Sequence, residues 1–294
     1  MTQSVAALLR ARGLHPRKGL GQNFLTDPVA LERIAAAADL SSSDVVVEVG
    51  AGAGTLTRCL AERAGRVLAL ELDDQLVELL REQFSEFRNV EIIHGDVLRF
   101  ASTEVTPGGY KVVGNLPYYI TSAVLRHFLE GMPRPQLIVV TVQREVAERI
   151  VAEPGKMSLL AVSVQFYGRP RIVARIPAGA FYPAPKVDST VVRIDVGEQP
   201  TVDLGEAIDE ASFFRVVRAG FSQKRKMLRN SLSAGLGCAP VVAAESLERA
   251  GVDPGRRAET LSLQEWARVT QILHSQGQLP SRRPQQDSNL RPTA

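Results

Sequence analysis

The sequence has little cysteine and no long apolar run. Its 294 residues include only two cysteines, Cys59 and Cys238, far apart in the chain. Two such residues argue against a disulfide framework or a zinc site, and we expect no bound metal. No apolar run approaches the roughly 20 residues that a membrane helix needs, and the N-terminus lacks the apolar core of a secretory signal. We therefore expect a cytoplasmic protein without membrane association.

Acidic residues are missing from two stretches of a chain whose net charge is only +3. Residues 1–26 contain arginine and lysine but no acid, and the same is true of residues 211–244. The cationic side chains of the second stretch are Arg215, Arg218, Lys224, Arg225, Lys226 and Arg229. A solvated basic face would explain either stretch alone. Two of them in one modestly charged chain favour contact with nucleic acid.

Apolar, β-branched segments alternate with helical patterns over the first two-thirds of the chain. Strands are predicted at residues 45–49, 67–70, 90–93, 110–113 and 137–142, and two later ones at 171–176 and 189–196. Strands separated by helices at this spacing indicate right-handed crossovers and a mostly parallel sheet. The fold class is therefore α/β.

The pattern changes near residue 200, where polar residues and a proline interrupt it. Beyond that point no strand is predicted, and residues 213–232, 242–250 and 263–274 each have a helical period. We expect one domain over residues 1–200 and a smaller helical domain over 201–276. Residues 277–294 are rich in Gln, Pro, Arg and Ser, which predicts a disordered tail.

Polar and glycine residues cluster where the predicted parallel strands end, which is where open sheets bind ligands. They are Glu48, Gly50, Gly52, Gly54, Glu71, Asp96 and Asn115. Glycines let the backbone approach a ligand. An acid after the second strand can accept hydrogen bonds from ribose hydroxyls, and an acid after the third can accept from an adenine amine. The set predicts an adenine nucleoside site, although Glu48 and Asp96 could instead serve only as local caps.

The glycine spacing discriminates between two possible cofactors that contain adenine. A dinucleotide fingerprint needs a third glycine three positions after Gly52, but position 55 is Thr. Few basic residues lie near this loop to meet a pyrophosphate. S-adenosylmethionine, which has no phosphate, fits this pattern better than NAD. An NAD-dependent oxidoreductase is the alternative.

The loop after the fourth strand has an unusual order of residues, Asn115, Leu116, Pro117 and Tyr118. Pro117 has a fixed φ and favours an extended Leu116, so the carbonyl groups before it are held in set directions. Asn115 adds a side-chain acceptor, and Tyr118 and Tyr119 add flat faces. Acceptors beside an aromatic face suit a planar base with an exocyclic amine. The alternative is a turn whose tyrosines close the core.

Seven segments occur in the order found in the ribosomal RNA adenine N6-dimethyltransferases, which the chain resembles over roughly residues 10–275. The matching segments are residues 21–25, 48–57, 71–73, 95–96, 115–118, 181–189 and 221–230. The resemblance implies a Rossmann-like, S-adenosylmethionine-dependent methyltransferase sheet with a smaller all-helical C-terminal domain. The basic segment after Phe221 is more similar to the small-subunit type than to relatives that modify large-subunit RNA.

The resemblance also implies which residues hold the cofactor. Asn23 and Leu25 would border it, Gly50 would lie at its methionine end within the loop that includes Gly52, and Glu71 would bind the ribose. Asp96 would bind the adenine.

For catalysis, the resemblance places Asn115 between cofactor and substrate. The Asn115 side-chain oxygen and the Leu116 carbonyl, held by Pro117, would accept both N–H groups of an adenine N6 amine. Tyr118 and Phe181 would hold the base between them. Without the resemblance, Phe181 would be interpreted as a core phenylalanine near several prolines.

The implied substrate is a pair of adjacent adenines in a hairpin near the 3′ end of small-subunit rRNA, presented on an immature subunit to a monomeric enzyme. The helical domain, through Arg215–Arg229, would bind phosphates rather than bases. Two alternatives stay open: an enzyme of the same family that acts on large-subunit RNA, and a non-catalytic assembly factor that binds rRNA.

Overall fold

The protein divides into two compact units in a computed structural model that describes residues 4–279 except 102 and 104–108. Unit 1 comprises Met1–Val151 and Ser163–Thr201, and unit 2 comprises Ala152–Val162 and Val202–Ala294. Ala152–Val162 therefore groups with unit 2 rather than with the rest of residues 1–200. This segment belongs to unit 2, where the backbone N–H groups of Gly155 and Met157 donate to the carbonyl of Glu259 at 2.9 and 3.0 Å.

Unit 1 contains helices on a central sheet. Its helices are α1 (Val5–Ala11), α2 (Pro28–Ala37), α3 (Thr55–Ala61), α4 (Asp74–Gln83), α5 (Thr121–Glu130) and α6 (Arg144–Ile150), and α7 (Leu159–Tyr167) starts in unit 2 and ends in unit 1. Its strands are β1 (Phe24–Leu25), β2 (Val45–Val49), β3 (Arg66–Glu71), β4 (Val90–His94), β5 (Lys111–Asn115), β6 (Leu137–Gln143), β7 (Gly168–Ile176), β8 (Phe181–Tyr182) and β9 (Ser189–Val196).

The main sheet has seven strands in the order β4-β3-β2-β5-β6-β9-β7. The five strands from β4 to β6 are parallel, and β9 runs antiparallel to both β6 and β7. The predicted α/β fold with a mostly parallel, Rossmann-like sheet is confirmed. Strand β2 shows why it forms at the centre: Val46, Val47 and Val49 are buried on both faces of the sheet, the pattern of a strand covered on both sides.

Helices α2 and α4 each begin after an aspartate that caps the first turn. The Asp27 carboxylate accepts the N–H of Ala30, and Pro28 occupies the first position of α2, where a missing N–H costs nothing. The Asp73 carboxylate caps α4 by accepting the N–H of Gln75. A separate two-stranded sheet pairs β1 with β8, and places Leu25 opposite Phe181.

Unit 2 is helical throughout its described part. It contains α8 (Glu210–Phe221), α9 (Leu228–Leu236), α10 (Pro240–Arg249) and α11 (Leu263–Ser275). Trp266 of α11 is fully buried, and its ring contacts Phe221 with centroids 5.7 Å apart. A β-carbon at Gly220 would overlap the Trp266 ring, so α8 and α11 need a glycine at this contact.

Two C-terminal predictions differ from the structure. Residues 213–232 form two helices rather than one, because the chain leaves helical geometry between Phe221 and Leu228. The predicted tail also starts too early: Gly277 has φ 71° and its N–H donates to His274, while Leu279 is buried. The rest of that tail, residues 280–294, lies outside the described residues. Within the described ranges, every helix is too short or too polar to span a bilayer.

Candidate active site

A pocket opens at the carboxyl ends of β2, β3, β4 and β5. Strands β2 and β5 are neighbours at the point where the strand order reverses, which is the usual ligand position in such sheets. The empty space of the pocket, including open solvent at its mouth, is about 790 Å³. It is lined by nine of the predicted residues: Asn23, Gly50, Gly52, Glu71, Asp96, Asn115, Leu116, Pro117 and Tyr118.

The loop after β2 brings its backbone close to the pocket. Gly50 and Gly52 have φ values of 74° and 59°, which residues with a side chain rarely adopt. A β-carbon at Gly52 would lie 3.0 Å from the Phe24 ring, and one at Gly50 would lie 3.7 Å from the Asn115 carbonyl oxygen. These glycines therefore give a ligand direct access to the main chain.

Glu71 ends β3 with only 7% of its surface exposed. Its Oε2 accepts the Gly52 N–H at 2.8 Å, and its Oε1 accepts the N–H groups of Leu72 and Asp73 at 2.9 Å each. Burial raises the pKa of this carboxyl above its ordinary value, and the three N–H donors limit the rise. Because Oε2 has one donor, it keeps acceptor capacity for a hydroxyl group in the pocket.

Asp96 follows β4 and combines the two roles considered from the sequence. Its Oδ1 accepts the N–H of Leu98 at 3.0 Å and so caps a short 3-10 turn over Val97–Arg99. The carboxylate also lines the pocket, half-buried. One oxygen is engaged by the turn, and the other has no hydrogen-bond partner among the described residues.

Asn115 ends β5 with its amide group oriented by the N-terminal segment. Its Nδ2 donates to the carbonyl oxygen of Asn23 at 2.8 Å. A carbonyl oxygen can only accept, so this contact assigns the nitrogen and leaves Oδ1 as a free acceptor. The next peptide is also held, because the Leu116 N–H donates to Thr141. In the described part of the chain, neither Asn115 Oδ1 nor the Leu116 carbonyl has a hydrogen-bond donor.

Tyr118 lies half-buried at the pocket wall and is tethered at its hydroxyl. The hydroxyl forms a 2.8 Å hydrogen bond with Oγ of Ser189, a fully buried residue at the start of β9. Burial raises the pKa of Tyr118, and the Ser189 hydroxyl opposes that rise. The ring is therefore held by a residue that is distant in sequence.

Leu25 and Phe181 do not reach the pocket. Both are buried, at 3% and 4% exposure, and pack in the apolar core of unit 1 with Ile176, Ala180 and Val191. The pairing of β1 with β8 turns both side chains toward that core. The interpretation of Phe181 as a core phenylalanine describes this structure, and its role in holding a base stays a prediction.

Several lining residues were not predicted, among them Leu72 and Val97, whereas Tyr119 is expected from the sequence, with Tyr118, as a flat face beside the acceptors. Leu72 and Val97 directly follow Glu71 and Asp96, so their positions beside the two acids were the available signal. Leu72 is 48% exposed, unusual for a large apolar residue beside two acids. Tyr119 follows Tyr118 and is 61% exposed.

Glu48 lies within β2 and is fully buried outside the pocket lining. Neither carboxyl oxygen completes a hydrogen bond among the described residues, and the nearby Thr57 hydroxyl likewise lacks a partner of good geometry. Burial raises the pKa of Glu48 to about 8, and the negative charge of Glu71 adds to the rise. Glu48 does not act as a helix cap and is protonated at neutral pH.

The two basic stretches differ in how their charges are used. In the N-terminal stretch, Arg12 pairs with Glu82, and Arg17 pairs with Asp73 and Asp74. The six cationic side chains of the second stretch are all exposed, and within the described ranges no hydrogen bond or ion pair engages them. These are Arg215, Arg218, Lys224, Arg225, Lys226 and Arg229. Unit 2 therefore presents a group of free cationic side chains that are close together in the sequence.

Comparison with known proteins gives one consistent result. Residues 13–275 match the family model described as ribosomal RNA adenine dimethylase. A ribosomal RNA small subunit methyltransferase A from Dehalococcoides mccartyi (strain CBDB1) is 50% identical over 258 residues, which cover 87% of this chain and 88% of the relative. The protein of the same name from Moorella thermoacetica is 42% identical, with coverage of 91% and 96%.

Two solved structures share the fold. A dimethyladenosine transferase from Plasmodium falciparum superimposes with a TM-score of 0.75 at 24% identity, and covers 87% of this chain and 99% of its own. The 23S rRNA methyltransferase ErmE superimposes with a TM-score of 0.68 at 30% identity, with coverage of 86% and 100%.

Proposed function

The chain belongs to the ribosomal RNA adenine dimethylase family, and on that premise we propose that it dimethylates N6 of two adjacent adenines in small-subunit rRNA. It is an S-adenosylmethionine-dependent rRNA adenine dimethyltransferase. The target is a hairpin near the 3′ end of the rRNA, on an immature small subunit. The enzyme acts as a cytoplasmic monomer and needs no metal, because a sulfonium is already a good leaving group.

One observation carries the proposal: two acceptors without a donor among the described residues belong to consecutive residues that line the pocket. Asn115 Oδ1 and the Leu116 carbonyl follow each other at the end of β5. The Asn23 carbonyl fixes the Asn115 amide, and Pro117 restricts the backbone that carries the Leu116 carbonyl. An exocyclic amine presents two N–H groups in one plane. Paired acceptors at the end of a rigid strand fit that amine better than they fit a hydroxyl, which has one hydrogen to donate.

The two acceptors make the amine a better nucleophile. The N6 lone pair of adenine is delocalised into the ring, which makes the nitrogen planar and weakly nucleophilic. Hydrogen bonds from both N–H groups to Asn115 and Leu116 favour a pyramidal nitrogen with a localised lone pair. Tyr118, tethered by Ser189, holds the base by stacking at about 1–3 kcal/mol. Alignment of the amine is then the main catalytic contribution.

The groups that line the pocket suit the methyl donor. Gly50 and Gly52 expose main chain, Glu71 Oε2 keeps acceptor capacity for a ribose hydroxyl, and the free oxygen of Asp96 can accept from an adenine amine. S-adenosylmethionine, when bound, supplies an electrophilic methyl group on a sulfonium. Transfer to the neutral amine gives a methylated cation, which is strongly acidic and loses its proton to water. After the first transfer one N–H remains, so the second requires a methyl group to be accepted beside Asn115 or Leu116.

Unit 2 supplies the contacts with RNA phosphates. Its cationic side chains from Arg215 to Arg229 are exposed and have no hydrogen-bond or ion-pair partner within the described residues, and such free side chains suit sequence-independent phosphate binding. Extrusion of a base costs less in a loop than in a duplex, which favours a hairpin target.

The test is methyl transfer to purified ribosomal subunits. Small and large subunits from cells that lack this activity are incubated with the enzyme and methyl-labelled S-adenosylmethionine, and dimethyladenosine is mapped. We expect two adjacent dimethyladenosines in small-subunit rRNA and none in large-subunit rRNA. Label in large-subunit RNA would favour the alternative that the likeness to ErmE raises. Binding without transfer would favour an assembly factor.

The informative variant is Asn115→Ala, which removes one acceptor and leaves the Leu116 carbonyl. We expect transfer to fall by roughly 100-fold or more, the order of an acceptor used in the transition state. The control is Asp203→Asn, which changes an exposed acid of unit 2 and should leave transfer unchanged. Full activity of Asn115→Ala would overturn the mechanism.

A further inference from the structure

Tyr119 is an exposed aromatic ring at the rim of the pocket that the proposed reaction does not use. Its side chain is 61% exposed and lines the pocket beside Tyr118. No hydrogen bond from its hydroxyl occurs among the described residues, whereas the Tyr118 hydroxyl is bonded to Ser189. A large ring held open to solvent beside a base-binding pocket has apolar area free for a second planar group.

The Tyr119 ring lies against a well-fixed stretch of backbone around Gly21. A β-carbon at Gly21 would lie 3.3 Å from Cε1 of the ring and 3.5 Å from Pro117, so the ring lies close to a position where only a glycine leaves it room. Gly21 has φ 63° and closes a 3-10 turn by donating its N–H to the Lys18 carbonyl. The next residue, Gln22, donates to the Asp73 carboxylate at 2.8 Å. The ring therefore rests on backbone that is itself held to unit 1.

A free cation lies in the same turn. Lys18 is exposed, and its ammonium group makes no ion pair or hydrogen bond within the described residues. Arg12 and Arg17 of the same segment are both paired with acids. An open aromatic ring with an unpaired ammonium nearby is the combination that binds a nucleotide, with the base on the ring and the phosphate on the cation.

We propose that Tyr119 is a stacking platform for the nucleotide next to the target adenine, with Lys18 near its phosphate. The inference rests on the proposed function, because the substrate has two adjacent adenines. While one adenine is held against Tyr118 for transfer, its neighbour stacks on Tyr119. The platform makes the enzyme prefer a purine beside the target, and the pair must shift by one nucleotide between the two modifications.

The test combines protein variants with a substitution in the RNA. Small subunits are prepared with the natural adenine pair, or with one adenine replaced by uridine, and the rate of transfer to the retained adenine is measured. We expect the wild type and Tyr119→Phe to favour the natural pair. Tyr119→Ala should lose roughly fivefold or more on the natural pair, the size of one base–aromatic stack, and should lose the preference. Lys18→Gln should weaken both substrates equally.

Two results would overturn the platform. One is a Tyr119→Ala enzyme that keeps the wild-type preference for a neighbouring adenine. The other is an equal loss on both substrates, which would place the ring against the target base. A changed affinity for S-adenosylmethionine would place it at the cofactor instead, so that affinity is measured for each variant.

A binding measurement separates this inference from the proposed function. A short single-stranded RNA carries 2-aminopurine next to an adenine, and its fluorescence is followed on titration with the full-length protein. Stacking on Tyr119 should quench the probe with the wild type and Tyr119→Phe but not with Tyr119→Ala. Equal quenching by all three proteins would contradict stacking on Tyr119. The result holds whether or not methyl transfer takes place.

Discussion

At the scale of single residues, functional side chains in the pocket each use one polar atom as an anchor and leave another for the ligand. Asn115 is anchored through Nδ2, and Asp96 through one carboxylate oxygen. Tyr118 is anchored at its hydroxyl, which leaves the ring face. An anchored group loses little further conformational freedom when the substrate binds, and this reduces the cost of reaching the reactive geometry.

The Tyr118–Ser189 hydrogen bond gives a prediction about positioning. Tyr118→Phe and Ser189→Ala each remove the same contact, and we expect each to lower kcat by roughly 2- to 10-fold with an unchanged KM for S-adenosylmethionine. The double variant should be no worse than either single one, because the contact is lost only once. Ser189→Thr should retain activity if its hydroxyl reaches Tyr118. Additive losses in the double variant would show that the two residues act separately.

Glu48 gives a prediction about pH and stability. Its pKa is about 8 in the folded protein, above the value of about 4.3 for an exposed glutamate. Between these values the folded protein keeps a proton that the unfolded chain has released, so stability falls as pH rises. One proton corresponds to about 1.4 kcal/mol per pH unit. The stabilising contribution is complete below pH ~4 and is lost by pH ~8.

We expect Glu48→Gln to flatten the decline in unfolding free energy between pH 5 and pH 8. This decline is measured by urea unfolding at several pH values, with circular dichroism as the signal. Glu78→Gln is the control, because Glu78 is exposed and has no ion pair within the described residues. Identical pH profiles for wild type and Glu48→Gln would contradict the assignment of a protonated Glu48.

Sequence reasoning succeeded at this scale where local position decides the role. Glu71, Asp96 and Asn115 lie at or just after the ends of parallel strands, and such ends meet at one edge of a sheet. The residues alone indicated a core phenylalanine at position 181, but the sequence could not show the pairing of β8 with β1 that orients its side chain. Ser189 could not be found either, since nothing near it in sequence indicates that it contacts Tyr118.

At the scale of elements, the segment before α2 is a wall of the pocket tied to α4. Arg12 bonds Glu82 through two contacts, and Arg17 and Gln22 converge on Asp73 at the start of α4. The sequence showed this segment only as basic residues without acids. The acids that neutralise two of its arginines lie much later in the chain, on α4 or at its start, so the ion pairs could not be anticipated from the local sequence.

Helix packing in unit 2 gives a prediction about Gly220. A β-carbon there would overlap the fully buried Trp266 ring, and overpacking of a core costs about 1–3 kcal/mol. Gly220→Ala should therefore lower the unfolding free energy by about that amount, measured by chemical denaturation. Gly179→Ala is the control, since a β-carbon at Gly179 meets no atom within 4 Å. A Gly220→Ala protein as stable as the wild type would show that α11 shifts freely.

At the scale of the whole molecule, a net charge of +3 conceals an uneven distribution. In unit 1, Arg63, Arg66, Lys111 and Arg126 pair with acids. In unit 2, Arg215, Arg218 and the residues around Lys224 are exposed and unpaired within the described residues. The sequence indicated this second group as unbalanced charge because it has no acid nearby in the chain, and the fold brings no described acid into ion-pair distance.

The unpaired charge predicts a salt dependence. Replacement of Lys224, Arg225 and Lys226 by glutamine should reduce the slope of log affinity against log salt, for binding to small subunits, by about 2–3. The control is Arg126→Gln, whose guanidinium is already bonded to Glu130 at 2.8 and 3.1 Å. An unchanged slope for the triple variant would mean that these three side chains do not meet phosphates.

The pairing of β1 with β8 has a consequence for how the enzyme is made. The two strands come from opposite ends of the sequence of unit 1, and such distant pairings form slowly, because a long loop must close before any contact is gained. Asn23, whose carbonyl orients Asn115, lies directly before β1. A growing chain on the ribosome thus completes strands β2 to β6 before it can fix this carbonyl. We expect an unfinished chain to contain a folded sheet in which the Asn115 amide is not yet oriented.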